Sequence, residues 1–386
     1  MKLARPPKAR LAHTALLVVA SALCDSEAQA QQPGMRVHFF DVGQGDATLI
    51  ELPKGSILVD TGGEDGGSYD FRPGLNRELD AFFDRRTDLG GRLDLLVITH
   101  PHPDHYQGMK PAPWWNSSLR PVLDTYRPRN VVHNGDRPVA KWVDNYANNE
   151  AGVAVEEITL GKLPANGPLT STVIDPFPYD GDFDPEVRVL WGRPTNETGW
   201  CDADFEEENN HSIVLRVDYG GASILFTGDL EISDSFECNP DDQAGIERVL
   251  ARYRNATPNL LEVDVYQVGH HGSHNATNEA LVRAMNPKIA VMSHGPAYWR
   301  GKYSAHSHAH PRLATVQHLE APTYGVDLCR SKKSVKLYRR HKTQPIDHEI
   351  RRAVFSTAWD GPVVLFGGGN GFWTVEQPTG AELGTC

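Results

Sequence analysis

The sequence has little cysteine and, beyond its N-terminus, no long apolar run. Five cysteines occur in 386 residues and none lies in a C-x-x-C pair, so we do not expect a cysteine zinc site. Because no run of about 18 apolar residues follows the N-terminal segment, no membrane-spanning segment is predicted in the mature chain. A G-x-S-x-G elbow and a P-loop are both missing, which argues against a serine hydrolase and a nucleotide-triphosphate enzyme.

Positive charge is also scarce, because 38 Lys and Arg stand against 50 Asp and Glu and the net charge is -12. A protein whose whole surface binds nucleic acid is therefore not expected, although a local basic patch is compatible with this balance. One group of basic residues late in the chain could form such a patch. The alternative is an ordinary solvated face of the protein. The members of the group are Arg300, Lys302, Arg312, Lys332, Lys333, Lys336, Arg339, Arg340 and Lys342.

The N-terminal residues have the pattern of a secretory signal peptide. Four basic residues between positions 2 and 10 precede the apolar stretch Leu11–Leu23, and Ala28-Gln29-Ala30 is typical of a cleavage site. We predict a signal peptide over residues 1–30 and an exported protein, periplasmic or secreted; the alternative is a buried amphipathic helix. Four cysteines then remain, and an even number suits two disulfides. Proximity alone favours the pairs Cys201–Cys238 and Cys329–Cys386.

Strand pairs come first in the mature chain, and strands that alternate with helices follow, in two similar halves. This order predicts two packed sheets with helices outside. Residues 176–208, rich in Asp, Glu, Pro and Gly, are expected to form an acidic surface insertion or a solvated loop. The predicted strands are Met35–Phe40, Thr48–Glu51, Ser56–Val59, Leu93–Thr99, Val131–His133, Val153–Ile158, Thr172–Ile174, Ser212–Asp218, Ser223–Phe226, Val263–Val268 and Ile289–Met292. The predicted helices are Leu75–Arg85, Ile246–Tyr253, Glu279–Met285 and Pro311–Leu319.

The sharpest chemical signal is the segment His100-Pro101-His102-Pro103-Asp104-His105, which follows a predicted buried strand. It places three imidazoles and one carboxylate, all of them metal-ligand types, on one short loop. A single tetrahedral ion cannot use every one of these side chains together with partners from other loops. The segment therefore predicts two divalent ions, zinc or manganese, rather than a polar loop with chance histidines.

Several motifs in the same order resemble the metallo-β-lactamase fold superfamily, and in particular its ComEC-type competence-protein branch. The segment 100–105 resembles the H-x-H-x-D-H signature. The further matching segments are DVGQGDA (41–47), LVDTGG (58–63), NNHSIVL (209–215), LFTGD (225–229) and VGHHGS (268–273). The resemblance covers roughly residues 35–320.

The resemblance implies an α/β fold, a four-layer αββα sandwich, for a hydrolase domain over residues 31–320. Residues 321–386 are expected to be a strand-rich extension that completes the domain. A first metal would be held by His100, His102 and His211, a second by Asp104, His105 and His294, and Asp229 would bridge them. His211 and His294 depart from the competence branch, and the alternative for His211 is a surface histidine at a strand start.

Other residues in and near these motifs are expected to support the metal site or to act on the substrate. His270 or His271 could bind metal or donate a proton to the leaving group. We favour His270 as the proton donor, and we expect His271 to support the metal ligands. Asp60 is expected to order the metal loops by hydrogen bonds, and Asp41 and Asp46 to do similar work. His306, His308 and His310 could form an extra metal or phosphate contact, although a solvated loop is the simpler interpretation.

The predicted function is an exported metal-dependent hydrolase with a dinuclear site and metal-bound hydroxide, oriented by Asp104. A phosphodiester or nucleic-acid substrate is favoured, and no obligate protein partner is inferred. The alternatives are a lactamase- or lactonase-like hydrolase of small cyclic amides or esters, and a non-catalytic metal-stabilised binding module.

Overall fold

The structure is a computed structural model, and it describes residues 34–386 apart from 64, 67–68, 111–119, 182–183, 197, 234–237 and 239–242. The predicted signal peptide lies outside the described residues. Residues Pro33–Cys386 form one compact unit. Among the helices of the described part, none has the length and apolar character needed to cross a bilayer.

The strands of the described chain build two large sheets and two small ones. The strands are β1 (Gly34–Phe39), β2 (Thr48–Leu52), β3 (Gly55–Val59), β4 (Asp65–Gly66), β5 (Tyr69–Asp70), β6 (Leu95–Ile98), β7 (Asn130–His133), β8 (Ala154–Glu157), β9 (Pro185–Trp191), β10 (Val214–Tyr219), β11 (Ala222–Phe226), β12 (Val265–Gln267), β13 (Ile289–Met292), β14 (Leu328–Leu337), β15 (Ile346–Arg352), β16 (Val354–Ser356), β17 (Val363–Gly368), β18 (Trp373–Gln377) and β19 (Gly384–Thr385).

The helices connect these strands and cover the outer faces of the large sheets. They are α1 (Arg72–Arg85), α2 (Pro103–Tyr106), α3 (Val122–Tyr126), α4 (Val139–Asn149), α5 (Asp202–Glu206), α6 (Gly245–Tyr253), α7 (Glu279–Met285), α8 (Ala305–His308), α9 (Leu313–Leu319) and α10 (Thr357–Asp360). Short 3-10 turns lie at Thr87–Leu89, Gln107–Met109, Leu160–Lys162, Glu208–His211 and His270–Gly272.

The first large sheet has the order β18-β17-β1-β2-β3-β6-β7-β8, and the second has the order β16-β13-β12-β11-β10-β9. In each sheet antiparallel hairpins are followed by parallel strands, such as β3 beside β6 and β11 beside β12. Parallel strands need crossover helices, which explains why the helical connections appear where the parallel pairing begins.

Successive side chains of β3 join two different cores, and this alternation shows where the layers meet. Ile57 and Val59 of β3 belong to the core shared with the second sheet, whereas Leu58 between them packs with α1 and α4. Both faces of the strand are therefore buried, as expected for a sheet covered on both sides. Residues of α6, α7 and α9 pack against the second sheet. The predicted αββα sandwich is confirmed.

Two local predictions differ from the structure. Thr172–Ile174 is a turn and not a strand, because the Ser171 hydroxyl accepts hydrogen bonds from the backbone N–H groups of Val173 and Ile174. The acidic segment 176–208 is not a loop throughout, since β9 lies within it and pairs with β10. Val187, Val189 and Trp191 face the core there, and the polar residues around them masked the alternation.

The residues after 321 are divided among three sheets. β16 extends the second large sheet, β17 and β18 extend the first, and β14, β15 and β19 form a separate three-stranded sheet. The sulfurs of Cys201 and Cys238 lie 1.99 Å apart, and those of Cys329 and Cys386 lie 2.15 Å apart. The cysteine pairing predicted from proximity is therefore confirmed.

Candidate metal centre

The candidate site is built where strands of the two large sheets end. His100 follows β6, and Asp229 follows β11. The segment His270–Gly272 follows β12. Asp60 follows β3, the strand that pairs in parallel with β6. Because the strands end in loops, their polar residues are free to turn toward a common point, while the apolar strand residues stay in the core.

The loops after β3 and β6 are tied by backbone hydrogen bonds to each other and to the loop between β1 and β2, which carries Asp46. Thr61 N–H donates to His105 O (2.7 Å), Gly62 N–H to Asp46 O (2.9 Å), and Asp46 N–H to Asp104 O (2.9 Å). A Cβ at Gly62 would lie 1.7 Å from the backbone oxygen of Asp104, so only glycine permits this approach. The close packing fixes the position of the segment that carries Asp104 and His105.

Three buried imidazoles converge on the carboxylate of Asp229. Its oxygens lie 3.2 Å from His105 Nε2, 3.5 Å from His271 Nε2 and 3.9 Å from His100 Nε2. Asp104 joins the group through an oxygen 3.3 Å from His271 Nε2. One set of ligand-type atoms, from Asp46, His105, Asp229 and His271, lies within 4.8 Å of one another.

The Nε2 atoms of these three histidines are buried and have no hydrogen-bond partner. The Nδ1 atoms, in contrast, are all engaged. His100 Nδ1 lies 3.2 Å from the Thr99 hydroxyl, His105 Nδ1 lies 2.8 Å from Asp60 Oδ2, and His271 Nδ1 lies 2.8 Å from Ser293 O. A ring held through one nitrogen with the other left unpaired is the usual arrangement of a metal-binding histidine.

Asp60 holds the loop that carries His105. Its carboxylate accepts hydrogen bonds from the backbone N–H and the hydroxyl of Thr99, both at 2.8 Å, and contacts His105 Nδ1. Its backbone φ is +58°, which is costly for a residue other than glycine. Strained backbone of this kind is frequent at functional sites. The structure thus places Asp60 where the sequence predicts an ordering role.

Charges in the cluster shift one another's ionisation. Burial opposes charge on His105, yet Asp229 and Asp60 raise its pKa well above the ordinary value. Burial likewise opposes charge on His271, but Asp229, Asp46 and Asp104 raise its pKa to about 9. Burial raises the pKa of Asp46 to about 6. An entering cation would therefore displace protons from the cluster.

His102 and His270 lie at the edge of the cluster. His102 Nε2 lies 3.2 Å from Glu208 Oε2, and the side chain is 31% exposed. His270 Nε2 lies 3.8 Å from Asp229, and its Nδ1 lies 3.0 Å from Glu231 Oε1. Glu208 and Glu231 carry no signal in the sequence, because a single glutamate outside a motif does not indicate a site.

His211 and His294 are not brought to the cluster. His211 Nδ1 lies 2.6 Å from Asp136 and its Nε2 lies 2.9 Å from Phe205 O. His294 Nδ1 lies 2.8 Å from Gly295 O and its Nε2 lies 2.7 Å from the Ser356 hydroxyl. Both nitrogens of each ring are therefore occupied, and their assignment as metal ligands stays a prediction.

Asp41 lies apart from these contacts as well. Its side chain is exposed, and its carboxylate accepts a hydrogen bond from Gly43 N–H within the same loop. Asp46, in contrast, is buried, and the Gln267 amide donates a hydrogen bond to it. The carboxylate of the DVGQGD loop that reaches the cluster is thus Asp46.

A cavity of about 490 Å³ opens over the cluster. Its wall includes the motif residues His102, Asp104, Asp229, His270 and His271. Gln44, Tyr303, His308 and His310 also line it. The histidines of the 306–310 segment therefore do not form a solvated loop. His306 and His308 lie on α8. His310 is buried, and its ring centroid lies 5.2 Å from that of His270.

Comparison with known proteins agrees with this geometry. Residues 40–295 match the family described as the metallo-beta-lactamase superfamily. The chain belongs to this superfamily. ComE operon protein 3 of Bacillus subtilis is 28% identical to it, over 72% of this chain and 30% of that protein. Competence protein ComA of Neisseria gonorrhoeae is 31% identical, over 76% of this chain and 30% of that protein.

These relatives confirm the resemblance to the competence branch of the metallo-beta-lactamase superfamily, at modest identity. The chain spans less than a third of the length of either relative. Among solved structures, the metallo-beta-lactamase fold protein YhfI of Bacillus subtilis is 12% identical and has a TM-score of 0.38. That match covers 82% of this chain and all of YhfI.

Members of the metallo-beta-lactamase superfamily typically bind divalent metal ions, and the cluster suits such ions. Buried imidazole nitrogens without partners are costly in a protein interior unless something binds them. Here three such nitrogens face one buried carboxylate, with a second carboxylate beside them. Nitrogen and carboxylate oxygen together are the donor set of zinc and manganese sites.

Proposed function

We propose that the chain is an exported metal-dependent hydrolase that cleaves phosphodiesters. The observation that carries the proposal is the convergence of three unpartnered imidazole nitrogens on Asp229 at the base of an open cavity. His100, His105, His271, Asp104 and Asp229 would hold up to two divalent ions. Bound there, such ions lower the pKa of water and stabilise negative charge that develops on the substrate.

The residues around the cluster supply the remaining steps. Asp104 lines the cavity, so its carboxylate is placed to accept a hydrogen bond from the attacking water. Burial opposes charge on His270, but Asp229 and Glu231 raise its pKa overall. The protonated ring, which also lines the cavity, is placed to give a proton to the leaving group.

The choice of substrate rests on the names of the relatives. One is named a competence protein and one is named for the ComE operon. A third, 28% identical over 69% of this chain and 25% of that protein, is Recombination protein 2 of Haemophilus influenzae. These names favour nucleic acid among the phosphodiesters. The cavity volume favours a second candidate, a hydrolase of small cyclic amides or esters, because about 490 Å³ is the size of a small-molecule site.

One assay separates these candidates. The purified protein is loaded with Zn²⁺ or Mn²⁺, its metal content is measured, and turnover of bis(p-nitrophenyl) phosphate is compared with turnover of nitrocefin. The variant Asp104→Ala/His105→Ala removes two of the proposed ligands. A histidine outside the cluster, His348 on β15, provides the matched control His348→Ala.

Metal-dependent diester cleavage that is lost in the double variant and kept in the control supports the proposal. Turnover of nitrocefin alone contradicts it and favours the lactamase-like candidate. If the metal-loaded protein cleaves neither compound, catalysis on both substrates is contradicted and a metal-stabilised binding module is favoured.

Export is proposed on separate grounds. Two cysteine pairs at bonding distance suit an oxidising compartment, and the N-terminal residues have the pattern of a leader. N-terminal sequencing of the protein produced in a bacterial host should find Gln31 as the first residue. An intact Met1 on cytoplasmic protein would contradict export.

A further inference from the structure

A basic and aromatic surface lies beside the cavity, outside the segments that match the metallo-β-lactamase motifs. Residues 300–342 contain ten Lys and Arg but only two Asp and Glu, in a chain whose net charge is -12. A local excess of this kind attracts anions even on an acidic protein. Which of these cations are available depends on their partners.

The lysines within the three-stranded sheet are paired. Lys332 forms an ion pair with Glu349, Lys333 with Asp360, and Lys336 with Asp347. The turn that joins β14 to β15 is different. Its residues 339–342, Arg-Arg-His-Lys, are exposed, and no ion pair within 4.0 Å joins Arg339, Arg340 or Lys342 to the part of the chain that the structure describes. The turn therefore presents three cations to solvent.

Exposed aromatic rings lie in the segment that follows β13. Tyr298 is 78% exposed and Tyr303 is 52% exposed, which is unusual for such large side chains. Lys302 Nζ lies 4.8 Å from the centre of the Tyr303 ring. Tyr298 and Arg300 also line a groove of about 320 Å³ with Trp359 and Lys336. Rings and cations thus alternate on one short segment.

Tyr338 joins this segment, the basic turn and the cavity wall. Its hydroxyl donates to Ala297 O (3.2 Å) and lies 2.9 Å from His306 Nδ1, while its backbone oxygen accepts from Leu313 N–H (2.9 Å). Arg339 follows directly. The Tyr338 N–H also donates to Pro311 O (3.0 Å), the residue directly after His310 of the cavity wall. The basic turn is therefore held near the cavity mouth.

We propose that Tyr298, Arg300 and the basic turn, residues 339–342, bind a single-stranded nucleic acid and lead it past Tyr303 into the cavity. The proposal rests on the phosphodiesterase function proposed above and names how that site takes hold of its substrate. Cations would contact successive phosphates, and the exposed rings would stack on bases. A single strand is favoured because its bases are free to stack, whereas those of a duplex are not.

The test is a binding measurement in the presence of chelator, so that the probe is not cut. A fluorescein-labelled oligothymidylate of about 15 nucleotides is titrated with the full protein and followed by anisotropy. The variant Arg339→Glu/Arg340→Glu/Lys342→Glu should bind at least about tenfold more weakly, with a smaller slope of log affinity against log salt. Tyr298→Ala should weaken binding severalfold and leave the salt slope unchanged.

A matched charge control uses cations elsewhere on the surface. Arg77, Lys141 and Arg254 are exposed on or beside α1, α4 and α6, and the variant Arg77→Glu/Lys141→Glu/Arg254→Glu changes the net charge by the same amount. It should keep the affinity of the unmodified protein. Equal losses in both triple variants would mean that only total charge matters, and the proposal would be overturned.

Other probes test the class of ligand. Equal affinity for a duplex of the same length, or binding to vesicles of anionic phosphatidylglycerol but not to the oligonucleotide, would overturn the proposal in favour of a general anionic surface. With metal present, cleavage of bis(p-nitrophenyl) phosphate by the control variant Arg77→Glu/Lys141→Glu/Arg254→Glu should equal that of the unmodified protein. If the unmodified protein cleaves no diester but binds the oligonucleotide through the turn, the proposed function fails and this surface stands.

Discussion

Two groups of histidines from the same family motifs differ in what their ring nitrogens do. His100, His105 and His271 each have one nitrogen bound by the protein and a buried Nε2 without a hydrogen-bond partner. His211 and His294 have both nitrogens bound by the protein. His105 lies on α2, whereas the other four lie within four residues of a strand end in both groups, so proximity to a strand end does not separate them.

The difference shows that a histidine at a strand end is available to a metal only when the surrounding groups leave one nitrogen free. Asp136 and the Phe205 carbonyl compete for His211, and Gly295 and Ser356 compete for His294. A cation would have to replace those hydrogen bonds at a cost, because the groups left behind are partly buried. In the cluster around Asp229, the groups that face the Nε2 atoms of His105 and His271 are the carboxylates of Asp104 and Asp229, which are themselves metal-ligand types.

The largest effect should come from removing a residue of the cluster. His271→Ala takes away an unpartnered nitrogen beside both Asp104 and Asp229, and should lower metal affinity and hydrolysis more than about a hundredfold, since losing even a supporting residue costs 10–100-fold. His294→Ala should keep the metal content of the unmodified protein. Metal per chain is measured by inductively coupled plasma mass spectrometry after gel filtration.

The opposite pattern would contradict the assignment of His271, rather than His211 and His294, as a metal ligand. If His294→Ala or His211→Ala lost one metal per chain while His271→Ala kept both, the ligand set implied by the resemblance would be correct. The ring contacts described here would then belong to a metal-free arrangement only. Melting temperature serves as the folding control for all three variants.

A smaller effect is expected from Asp60, which acts through His105. Asp60→Asn keeps the shape of the side chain but removes the charge that holds His105 Nδ1 at 2.8 Å. Metal affinity should fall about 10- to 100-fold, with a parallel fall in hydrolysis that excess metal partly restores. Competition with a chromogenic zinc chelator measures the affinity. An unchanged affinity would show that the Thr99 contacts alone position the loop.

The smallest expected effect is on the stability of the folded protein. The contributions of His211 and His294 to this stability should change with pH in opposite directions. Burial lowers the pKa of His294 to about 4, from 6.5 in the unfolded chain. Its neutral ring stabilises the fold above pH 6.5, and this contribution of up to about 3 kcal/mol is lost as pH falls toward 4. Burial also acts on His211, but the Asp136 hydrogen bond raises its pKa overall. Its contribution is present below pH 6.5 and is lost as pH rises through the raised pKa.

Melting curves of His294→Asn and His211→Asn from pH 4 to pH 9 test this contrast. The deficit of His294→Asn should be largest above pH 6.5 and should shrink in acid. The deficit of His211→Asn should be largest below pH 6.5 and should shrink in alkali. Parallel curves for the two variants would contradict the opposite environments described here.

Much of the fold was predictable because the strands are buried on both faces. Leu93–Thr99 is a continuous apolar run that only a covered strand explains, and β6 lies within it. The helix predicted at Glu279–Met285 has those bounds in the structure, since the Asn278 side chain caps it at Leu281 N–H. Prediction from the local sequence pattern was wrong in two places. At Thr172–Ile174 the Ser171 side chain stabilises a turn, and at β9 the surrounding polar residues obscured the apolar alternation.

The site was predictable in part for a related reason. The segment 100–105 carries so many ligand types that its chemistry is visible without partners, and Asp229 follows a strand that is clear in the sequence. The sequence left the choice between His270 and His271 open, gave Asp41 and Asp46 the same role, and favoured a solvated loop for His310. Each role depends on which way a ring or carboxylate turns after its strand ends, and on residues far away in the chain, such as Gln267 for Asp46 and Gln44 for His310.

The layered sandwich, the motif family and the histidine-rich edge could all be predicted from the sequence, because apolar periodicity and ligand-dense loops are local properties of the chain. Which histidines keep a nitrogen free is settled by folding. That choice depends on hydrogen-bond partners such as Ser293 for His271 and Ser356 for His294, which folding brings from distant segments. A ring's availability to a metal is therefore a property of its neighbours in space, and the order of residues alone does not contain it.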